Sequence, residues 1–385
     1  MSKSDRDHFD QYTPQNRIKH TILSKYFSAY MEALGGNAQA IHYIDGFAGG
    51  GLYENRYRGS PLIALELLAT QSMPCSASFI EEDPQLFPKL EQAISQHPSV
   101  TGHKLFDEPF IKQGEFKDWV ESTLKRPIYS RFSKVATFAF VDPCGVRGVR
   151  MSDLSLLLSR QYSECLLFWN YDGINRWLGG VAKREHPRSG LDELFGDPDL
   201  VDEALLHFDR SASSAEKEQK ILRLFIGGLK KSGKQFVLPF RVEAKDKDRT
   251  SHYLIHCSGH PLAFKIMKDV MGGAGTGTET GAFEFSSAAE TAALFSPLAD
   301  QARDNILKQL ARGPLRVSVF TKEWILRPDD FFRDKDYRGI LLELEAAGLV
   351  EVLDKSGKSV VAASRRPQRQ GKPTLGPDYL VRRKA

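Results

Sequence analysis

The amino-acid sequence predicts an α/β fold in which a doubly wound, Rossmann-like sheet is followed by a small winged helix-turn-helix domain. From Gln39 onward, apolar strand-like runs alternate with helix-like segments, which favours a mainly parallel sheet covered by helices on both faces. A glycine-rich turn, "DGFAGGG", follows the first run. After a second glycine-rich stretch at 272–281, three helix-like segments and a hairpin-like one replace the alternation. At 385 residues the chain is long enough for two domains.

Composition excludes several classes of protein. Hydrophobic residues make up 41% and charged residues 26% of the chain, as in globular proteins. The cysteines, Cys75, Cys144, Cys165 and Cys257, form no CxxC pair, so neither a disulfide framework nor a metal site is predicted. No apolar run reaches the roughly 18 residues of a membrane span and the N-terminus is too polar for a signal peptide, so we expect a cytoplasmic protein. The net charge of +4 permits a polyanionic partner without requiring one.

The first element is an amphipathic helix in an N-terminal segment, 1–38, which is expected to pack on the main domain. Thr13 can cap its start, Pro14 suits the first helical position, and Gly35 can end it. Apolar residues recur every four positions and predict its buried face: Ile18, Ile22, Tyr26, Tyr30 and Leu34. The other face is basic and is expected to be solvated, although a basic face beside a ligand cleft could contact phosphates: Arg17, Lys19, His20 and Lys25.

The main domain is expected to span residues 39–272. Its strand-like runs are "AIHYID", "CSASFIEED", a weaker one at "FIKQ", "VATFAFVD" and "ECLLFWNYD". Two later runs, "KQFVLPFRV" and "RTSHYLIHCSG", are too close together for an intervening helix and are expected to pair antiparallel at one edge of the sheet. The charged segment at 181–220 is interpreted as an insertion that caps the cleft and does not join the core.

The rest of the chain is predicted to form a linker, a winged helix-turn-helix and a disordered tail. The linker is expected at 273–290, because "GGAGTGTETG" is typical of a flexible segment. The helix-like segments "LADQARDNILKQLARGPL", "TKEWIL" and "KDYRGILLELEAAGLV" precede a hairpin of "LVEVL" and "SVVAAS", which predicts the winged domain at 291–363. The tail at 364–385 is basic and rich in Pro and Gly.

The glycine-rich turn indicates a ligand held close to the backbone at the carboxyl end of the first strand. A phosphate-binding loop is excluded because no Gly-Lys-Ser/Thr follows the glycines. The spacing of Gly46, Gly49 and Gly51 does not fit the GxGxxG of dinucleotide-binding proteins, and Asp45 would repel a pyrophosphate. A carboxylate here suits a cationic ligand with a free amino group. S-adenosylmethionine carries both an ammonium and a sulfonium.

Further residues complete the predicted cofactor site. Glu81 ends the second strand, where a carboxylate can accept hydrogen bonds from both hydroxyls of a ribose. Glu115 and Phe116 follow the weaker strand and are expected to contact adenine. Asp142 ends the next strand, and Pro143 stiffens the loop that directs this carboxylate toward the methyl group. Taken alone, the glycine turn could bind nothing and Asp142 could be a helix N-cap, but their order along the chain favours the cofactor site.

The motifs resemble the three-Cys-motif partner protein family (TcmP), whose members combine a methyltransferase-like Rossmann domain with a winged helix. The matching segments lie between residues 10 and 360: "NRIKHTILSKYFSAY", "YIDGFAGGG", "RGSPLIALELL", "FIEEDP", "FVDPCGVRG" and "YRGILLELEAAGLV". The resemblance implies a class I methyltransferase that uses S-adenosylmethionine, and a separate three-Cys-motif protein as its partner.

The predicted reaction is methyl transfer to a base amine of nucleic acid. Methyl transfer from a sulfonium is an in-line displacement, so alignment matters more than strong acid–base groups. Asp142 and Pro143 would hold the amine, with Phe140 or Trp169 as a stacking surface. Their loop resembles the (Asp/Asn)-Pro-Pro-aromatic loop of amino-methyltransferases, but Cys144 and a glycine take the last two positions, so the stacking aromatic is missing. For Cys144 itself, a small buried thiol is favoured over a nucleophile.

Nucleic acid is the expected partner of the winged domain. Basic residues lie at the start of its third helix and on its wing: Arg333, Lys335, Arg338, Lys355 and Lys358. Nearby aspartates dilute this charge, and winged helices also serve as protein interfaces. The second hypothesis is therefore a non-catalytic adaptor that recruits DNA or a three-Cys-motif protein.

Overall fold

The computed structural model describes residues 12–54, 56–143, 145–210, 213–244, 249–275, 284–285, 297–327, 330, 332–360, 368–369 and 372–384. The chain divides into two compact units, Met1–Val270 and Met271–Ala385. The first unit contains the large sheet, and the second a smaller sheet with helices. In the described part of the chain, no helix is long and apolar enough to cross a membrane.

Helices and strands alternate along the first unit. In chain order they are α1 (Pro14–Leu34), β1 (Ala40–Asp45), β2 (Leu52–Tyr53), β3 (Tyr57–Arg58), α2 (Ser60–Leu68), β4 (Cys75–Glu81), α3 (Phe87–Ser95), α4 (Pro98–Thr101), β5 (Phe110–Gln113), α5 (Phe116–Thr123), α6 (Pro127–Arg131), β6 (Val135–Val141), α7 (Met151–Leu158), β7 (Ser163–Trp169), α8 (Tyr171–Ala182), α9 (Ser189–Phe195), α10 (Pro198–Arg210), α11 (Ser214–Lys231), β8 (Phe236–Glu243), β9 (Thr250–Ser258) and α12 (Pro261–Ala274), which reaches the unit boundary.

Seven strands of this unit lie side by side in the order β5–β4–β1–β6–β7–β9–β8. The five strands from β5 to β7 are parallel, whereas β9 is antiparallel to both β7 and β8. The mainly parallel sheet and the antiparallel pairing of the two late strands are therefore confirmed. The chain proceeds outward from β1 to β5 and then restarts at β6, so the order reverses between β1 and β6. Ligands of doubly wound sheets bind at this switch point, beyond the carboxyl ends of the strands.

Aromatic side chains pack both faces of the sheet against helices. On one face, Trp169 of β7 stacks on Phe225 of α11 with 4.7 Å between ring centroids. On the other face, Phe138 of β6 packs against Phe27 of α1 at 5.1 Å. Strands β1, β4, β6 and β7 are buried along their whole length, which explains their nearly continuous apolar sequences.

Helix α1 begins as predicted, with the Thr13 hydroxyl accepting a hydrogen bond from the backbone N–H of Asn16 at 3.1 Å. The prediction for its basic face is half wrong. Arg17 and Lys25 are exposed, but Lys19 and His20 are only 4% and 3% exposed. The buried face is wider than predicted because a second row of residues faces the protein: Lys19, Leu23, Phe27 and Met31.

The segment at 181–220 belongs to the core, which corrects its interpretation as a cap outside it. Five residues of α9 and α10 are buried in the same cluster as β6 and β7: Leu191, Leu194, Phe195, Val201 and Ala204. The charged residues that suggested a cap occupy the outer surfaces of these helices, where Arg188 pairs with Asp192 at 2.9 Å. Amphipathic helices of this kind can close the main core while their sequence remains highly charged.

The second unit has its own small core. Its described elements are β10 (Glu284–Phe285), α13 (Pro297–Leu310), β11 (Leu315–Arg316), a helical stretch made of a π turn (Val319–Glu323) and a 3-10 turn (Trp324–Leu326), α14 (Asp334–Ala346), β12 (Val350–Leu353), β13 (Gln368–Arg369), β14 (Lys372–Pro373) and β15 (Leu380–Arg383). Strands β11, β15 and β12 form an antiparallel sheet, and Phe320, Leu341 and Val381 are fully buried.

Two predictions for this unit are wrong. The strand that pairs along β12 is β15, and the predicted hairpin partner contributes only a bridge between Leu353 and Ser359. The tail is therefore ordered at β15, where Val381 is buried in the core. Pro, Gly and Arg residues around this short strand concealed its apolar pattern in the sequence. The winged-helix topology remains a prediction, and most of the predicted linker, 276–283 and 286–290, lies outside the described residues.

Candidate functional site

Three acidic residues predicted from strand ends come together at the switch point. Asp45 is the last residue of β1, Glu81 is the last residue of β4, and Asp142 directly follows β6. Asp45 lies opposite Phe140 in the parallel register of β1 and β6. Because β4 and β6 flank β1, the three carboxylates share one edge of the sheet.

Asp45 is fully buried. Its carboxylate accepts hydrogen bonds from the Phe47 backbone N–H at 3.3 Å and from the Tyr43 hydroxyl at 3.2 Å, and it also bonds the Ser60 side chain. Burial is the largest cause that raises the pKa of Asp45 to about 7. The charge of Asp142 contributes to the rise, and the three hydrogen bonds oppose it. A cation placed against Asp45 would favour its ionised form.

Glu81 fixes the glycine turn to the end of β4. Its Oε2 accepts the backbone N–H of Gly49 at 2.7 Å, and its Oε1 accepts that of Asp83 at 2.8 Å. Burial raises the pKa of this carboxyl although the two hydrogen bonds oppose the shift. Each carboxylate oxygen retains a second lone pair, which suits a ribose hydroxyl.

The glycine turn requires its glycines for two different reasons. Gly49 and Gly51 have φ of +63° and +81°, in the region that favours glycine. At Gly46 a Cβ would lie 2.8 Å from the Phe116 ring. That ring is 1% exposed and packs beneath the turn, 5.8 Å from the ring of Phe47. The side chain of Phe116 therefore supports the turn and is not directed toward a ligand.

Glu115 lies at the start of α5, beside the same turn. Its side chain is 45% exposed and pairs with Lys117 at 2.7 Å. This position leaves it accessible from solvent, and the predicted contact with adenine remains a prediction for Glu115.

Gly46→Ala is expected to lower the free energy of unfolding by about 1–3 kcal/mol, since the added methyl group overlaps the Phe116 ring. Adding Phe116→Leu should recover part of this loss. Urea denaturation of both variants checks the prediction, with Gly50→Ala as the matched control because its Cβ would meet nothing nearer than 3.5 Å. Equal unfolding midpoints for Gly46→Ala and the wild type would contradict this packing.

Asp142 forms an ion pair with Lys19 of α1, a residue that the sequence analysis placed on the solvated face. The side chains of Lys19 and Asp142 are 5% and 16% exposed. The Lys19 ammonium also lies 5.0 Å from the centroid of the Phe168 ring. Helix α7 is capped by Arg150, so Asp142 is not a helix N-cap. The following Pro143 is buried, and Cys144 lies outside the described residues.

Two histidines lie close to Lys19. His252 stacks on Phe168 with centroids 4.2 Å apart, and burial together with the Lys19 charge lowers its pKa to about 3. Burial and the same charge lower the pKa of His20 well below its usual range. Both imidazoles are therefore neutral at pH 7.

The two predicted stacking residues are unavailable to a ligand. Phe140 is fully buried within β6, and Trp169 is 2% exposed and covered by Phe225. Both rings belong to the core, so this part of the sequence prediction is wrong. Within the described residues, no group of three or more His, Cys, Asp or Glu side chains is arranged to hold a metal ion.

The basic residues predicted to contact nucleic acid differ in exposure. Arg333 is 6% exposed, and its guanidinium donates to Asp336 at 2.7 Å, so it caps α14 and does not face a partner. Arg338 pairs with Asp334. The remaining three are exposed: Lys335, Lys355 and Lys358.

No protein-family model and no curated protein matches this chain. A solved DUF519 protein of Legionella pneumophila aligns with a TM-score of 0.38 and 10% identity, over 64% of this chain and 88% of its own. The O-methyltransferase TomG of Streptomyces achromogenes, solved with SAM, aligns with a TM-score of 0.30 and 12% identity, over 63% of this chain and 80% of its own. An O-methyltransferase of Bacillus cereus, solved with SAH, aligns with a TM-score of 0.30 and 11% identity, over 67% of this chain and 92% of its own. The resemblance to the TcmP family remains a prediction.

Proposed function

We propose that this protein is a class I methyltransferase that uses S-adenosylmethionine and methylates a base amine of nucleic acid. The observation that carries the proposal is the placement of Asp45, Glu81 and Asp142 on neighbouring strand ends at the switch point. The sheet order supports it, because the order reverses between β1 and β6, and doubly wound sheets bind nucleotide-like ligands at such a reversal.

The residues of the site fit the chemistry of this cofactor. Asp45 is a buried carboxyl that an ammonium group would neutralise. Glu81 has free lone pairs for ribose hydroxyls, and the turn at Gly49 and Gly51 allows a ligand to approach the backbone. The bound cofactor would supply a methyl group on a sulfonium.

Asp142 would orient the acceptor. Its Oδ2 pairs with Lys19, and its Oδ1 has no hydrogen-bond partner among the described residues. Oδ1 can accept a hydrogen bond from the acceptor amine and direct the nitrogen lone pair toward the methyl carbon. With the cofactor bound, the amine nitrogen would bond to the methyl carbon while the C–S bond breaks with its electrons going to sulfur, and the amine proton would leave to solvent.

Asp142→Asn is expected to reduce methyl transfer by about a hundredfold while leaving cofactor affinity unchanged, because it acts on alignment of the acceptor. The assay follows tritiated methyl groups from S-adenosylmethionine into duplex DNA, single-stranded DNA and RNA. Asp118→Asn, which alters an exposed carboxylate on α5, is the control. No transfer by the wild type to any of the three would contradict the proposal and favour the adaptor that recruits DNA or a three-Cys-motif protein.

A further inference from the structure

Four aromatic rings meet beside the Lys19–Asp142 pair, and we call them the aromatic platform: Tyr12, His20, Tyr53 and Tyr57. Tyr12 stacks on Tyr57 with centroids 4.6 Å apart and ring planes 14° apart. Tyr12 also lies 5.7 Å from both His20 and Tyr53, and His20 lies 5.6 Å from Tyr53. The rings come from the N-terminal segment, helix α1 and the β2–β3 hairpin, so the fold assembles them from distant parts of the sequence.

The platform lies next to both halves of the proposed active site. The hairpin that carries Tyr53 and Tyr57 directly follows the glycine turn and is closed by a hydrogen bond from the Gly59 N–H to the Gly51 carbonyl at 2.8 Å. On the other side, His20 is the residue after Lys19, whose ammonium contacts Asp142. Short stretches of chain therefore connect the platform to both the glycine turn and the Lys19–Asp142 pair.

The platform has features of a binding surface. The rings of Tyr12, Tyr53 and Tyr57 are partly exposed. His20 is 3% exposed, and its Nδ1 has no hydrogen-bond partner within the described residues. The three tyrosine rings, and not the buried imidazole, form the accessible part of the platform.

Cationic side chains accompany the rings. Arg56 is 67% exposed and lies 4.4 Å over the Tyr57 ring while it pairs with Glu54. Arg17 is exposed on α1, within electrostatic reach of Tyr12. Stacking rings beside cations that can contact phosphates are typical of surfaces that bind single-stranded nucleic acid.

We propose that the aromatic platform binds the acceptor base, a planar heteroaromatic ring of a single-stranded or flipped-out nucleotide. This inference rests on the proposed function for the reaction that follows binding. The platform provides the stacking surface that the loop after Asp142 and Pro143 lacks. It places the base by stacking on the partly exposed tyrosine rings.

The test measures binding of a fluorescein-labelled, single-stranded DNA of about 12 nucleotides by fluorescence anisotropy without cofactor. Tyr53→Leu/Tyr57→Leu should weaken binding by about tenfold or more, because stacking is lost, whereas Tyr53→Phe/Tyr57→Phe should stay within about twofold of the wild type. Phe106→Leu, which removes another exposed ring of this unit, should leave affinity unchanged. The single variant Tyr57→Leu should bind the oligonucleotide about fivefold more weakly than the wild type. It serves as the test if the double variant does not fold.

The proposal is overturned if the Leu variants bind as tightly as the wild type, if the Phe and Leu pairs are weakened equally, or if the wild type does not bind the oligonucleotide. Titration of the same proteins with S-adenosylmethionine distinguishes failure of base binding by the platform from failure of the proposed methyl transfer. Wild type and Leu variants should bind the cofactor equally. Absence of cofactor binding would count against the proposed reaction alone, since the oligonucleotide assay requires no cofactor.

Discussion

Asp45→Asn is expected to raise the free energy of unfolding at pH 8, because it removes a buried charge. In the unfolded chain this carboxyl has a pKa of 3.8, and in the native protein burial raises the pKa to about 7. Below pH 3.8 it is protonated in both states, so it costs no stability. Between pH 3.8 and about 7 the unfolded chain releases this proton while the native protein retains it, so the free energy of unfolding falls as the pH rises, by up to about 4 kcal/mol.

The asparagine can fill the same position without this cost. Its oxygen can accept the Phe47 N–H, and the hydroxyls of Tyr43 and Ser60 can rotate to accept its amide. Urea denaturation should show that the unfolding free energy of the variant, relative to that of the wild type, rises by about 3 kcal/mol between pH 5 and pH 8. Asp118→Asn, at an exposed site, should show no such trend. A constant difference at both pH values would mean that the Asp45 pKa is not raised.

Breaking the Lys19–Asp142 pair is expected to have the second large effect. Lys19→Met leaves the largely buried Asp142 carboxylate without its Lys19 partner, and Asp142→Asn does the same to the Lys19 ammonium. Each variant should lower the free energy of unfolding by about 3–5 kcal/mol. The double variant removes both charges and should recover most of this loss. Thermal and urea denaturation of the four proteins form a double-mutant cycle that measures the coupling. Additive losses would contradict a direct ion pair.

The same double variant separates structure from chemistry. If Asp142 orients the acceptor, Lys19→Met/Asp142→Asn regains stability but still fails to transfer methyl groups. Recovery of transfer together with stability would instead mean that Asp142 acts only by holding α1 against the sheet.

Much of the fold could be predicted because it depends on local patterns. Continuous apolar runs mark buried parallel strands, and a carboxylate after each run locates the carboxyl edge, so Asp45, Glu81 and Asp142 were identifiable. Lys19 was missed because the sequence prediction limited the buried face to the apolar residues at every fourth position from Ile18. The next row of the helix, which begins at Lys19, is also buried. A lysine in line with Leu23, Phe27 and Met31 was the available signal.

Other features depend on contacts between distant segments. Tyr12 and Tyr57 stack across 45 positions of the chain, and no local period links them. The two aromatics that were predicted to stack beside Asp142, Phe140 and Trp169, belong to the core, because alternate residues of a central strand face helices on both sides. Strand β15 was missed because its pairing with β12 depends on a partner about 30 residues away.

Calorimetric titration with S-adenosylmethionine at pH 7.5 tests the central claim most directly. The wild type and Glu82→Gln, which alters an exposed neighbour of the site, should bind equally. Asp45→Asn and Glu81→Gln should each bind about ten- to a hundredfold more weakly, since each loses charge-assisted hydrogen bonds to the cofactor. Equal affinity of all four proteins, or no binding by the wild type at millimolar cofactor, would contradict the site described here.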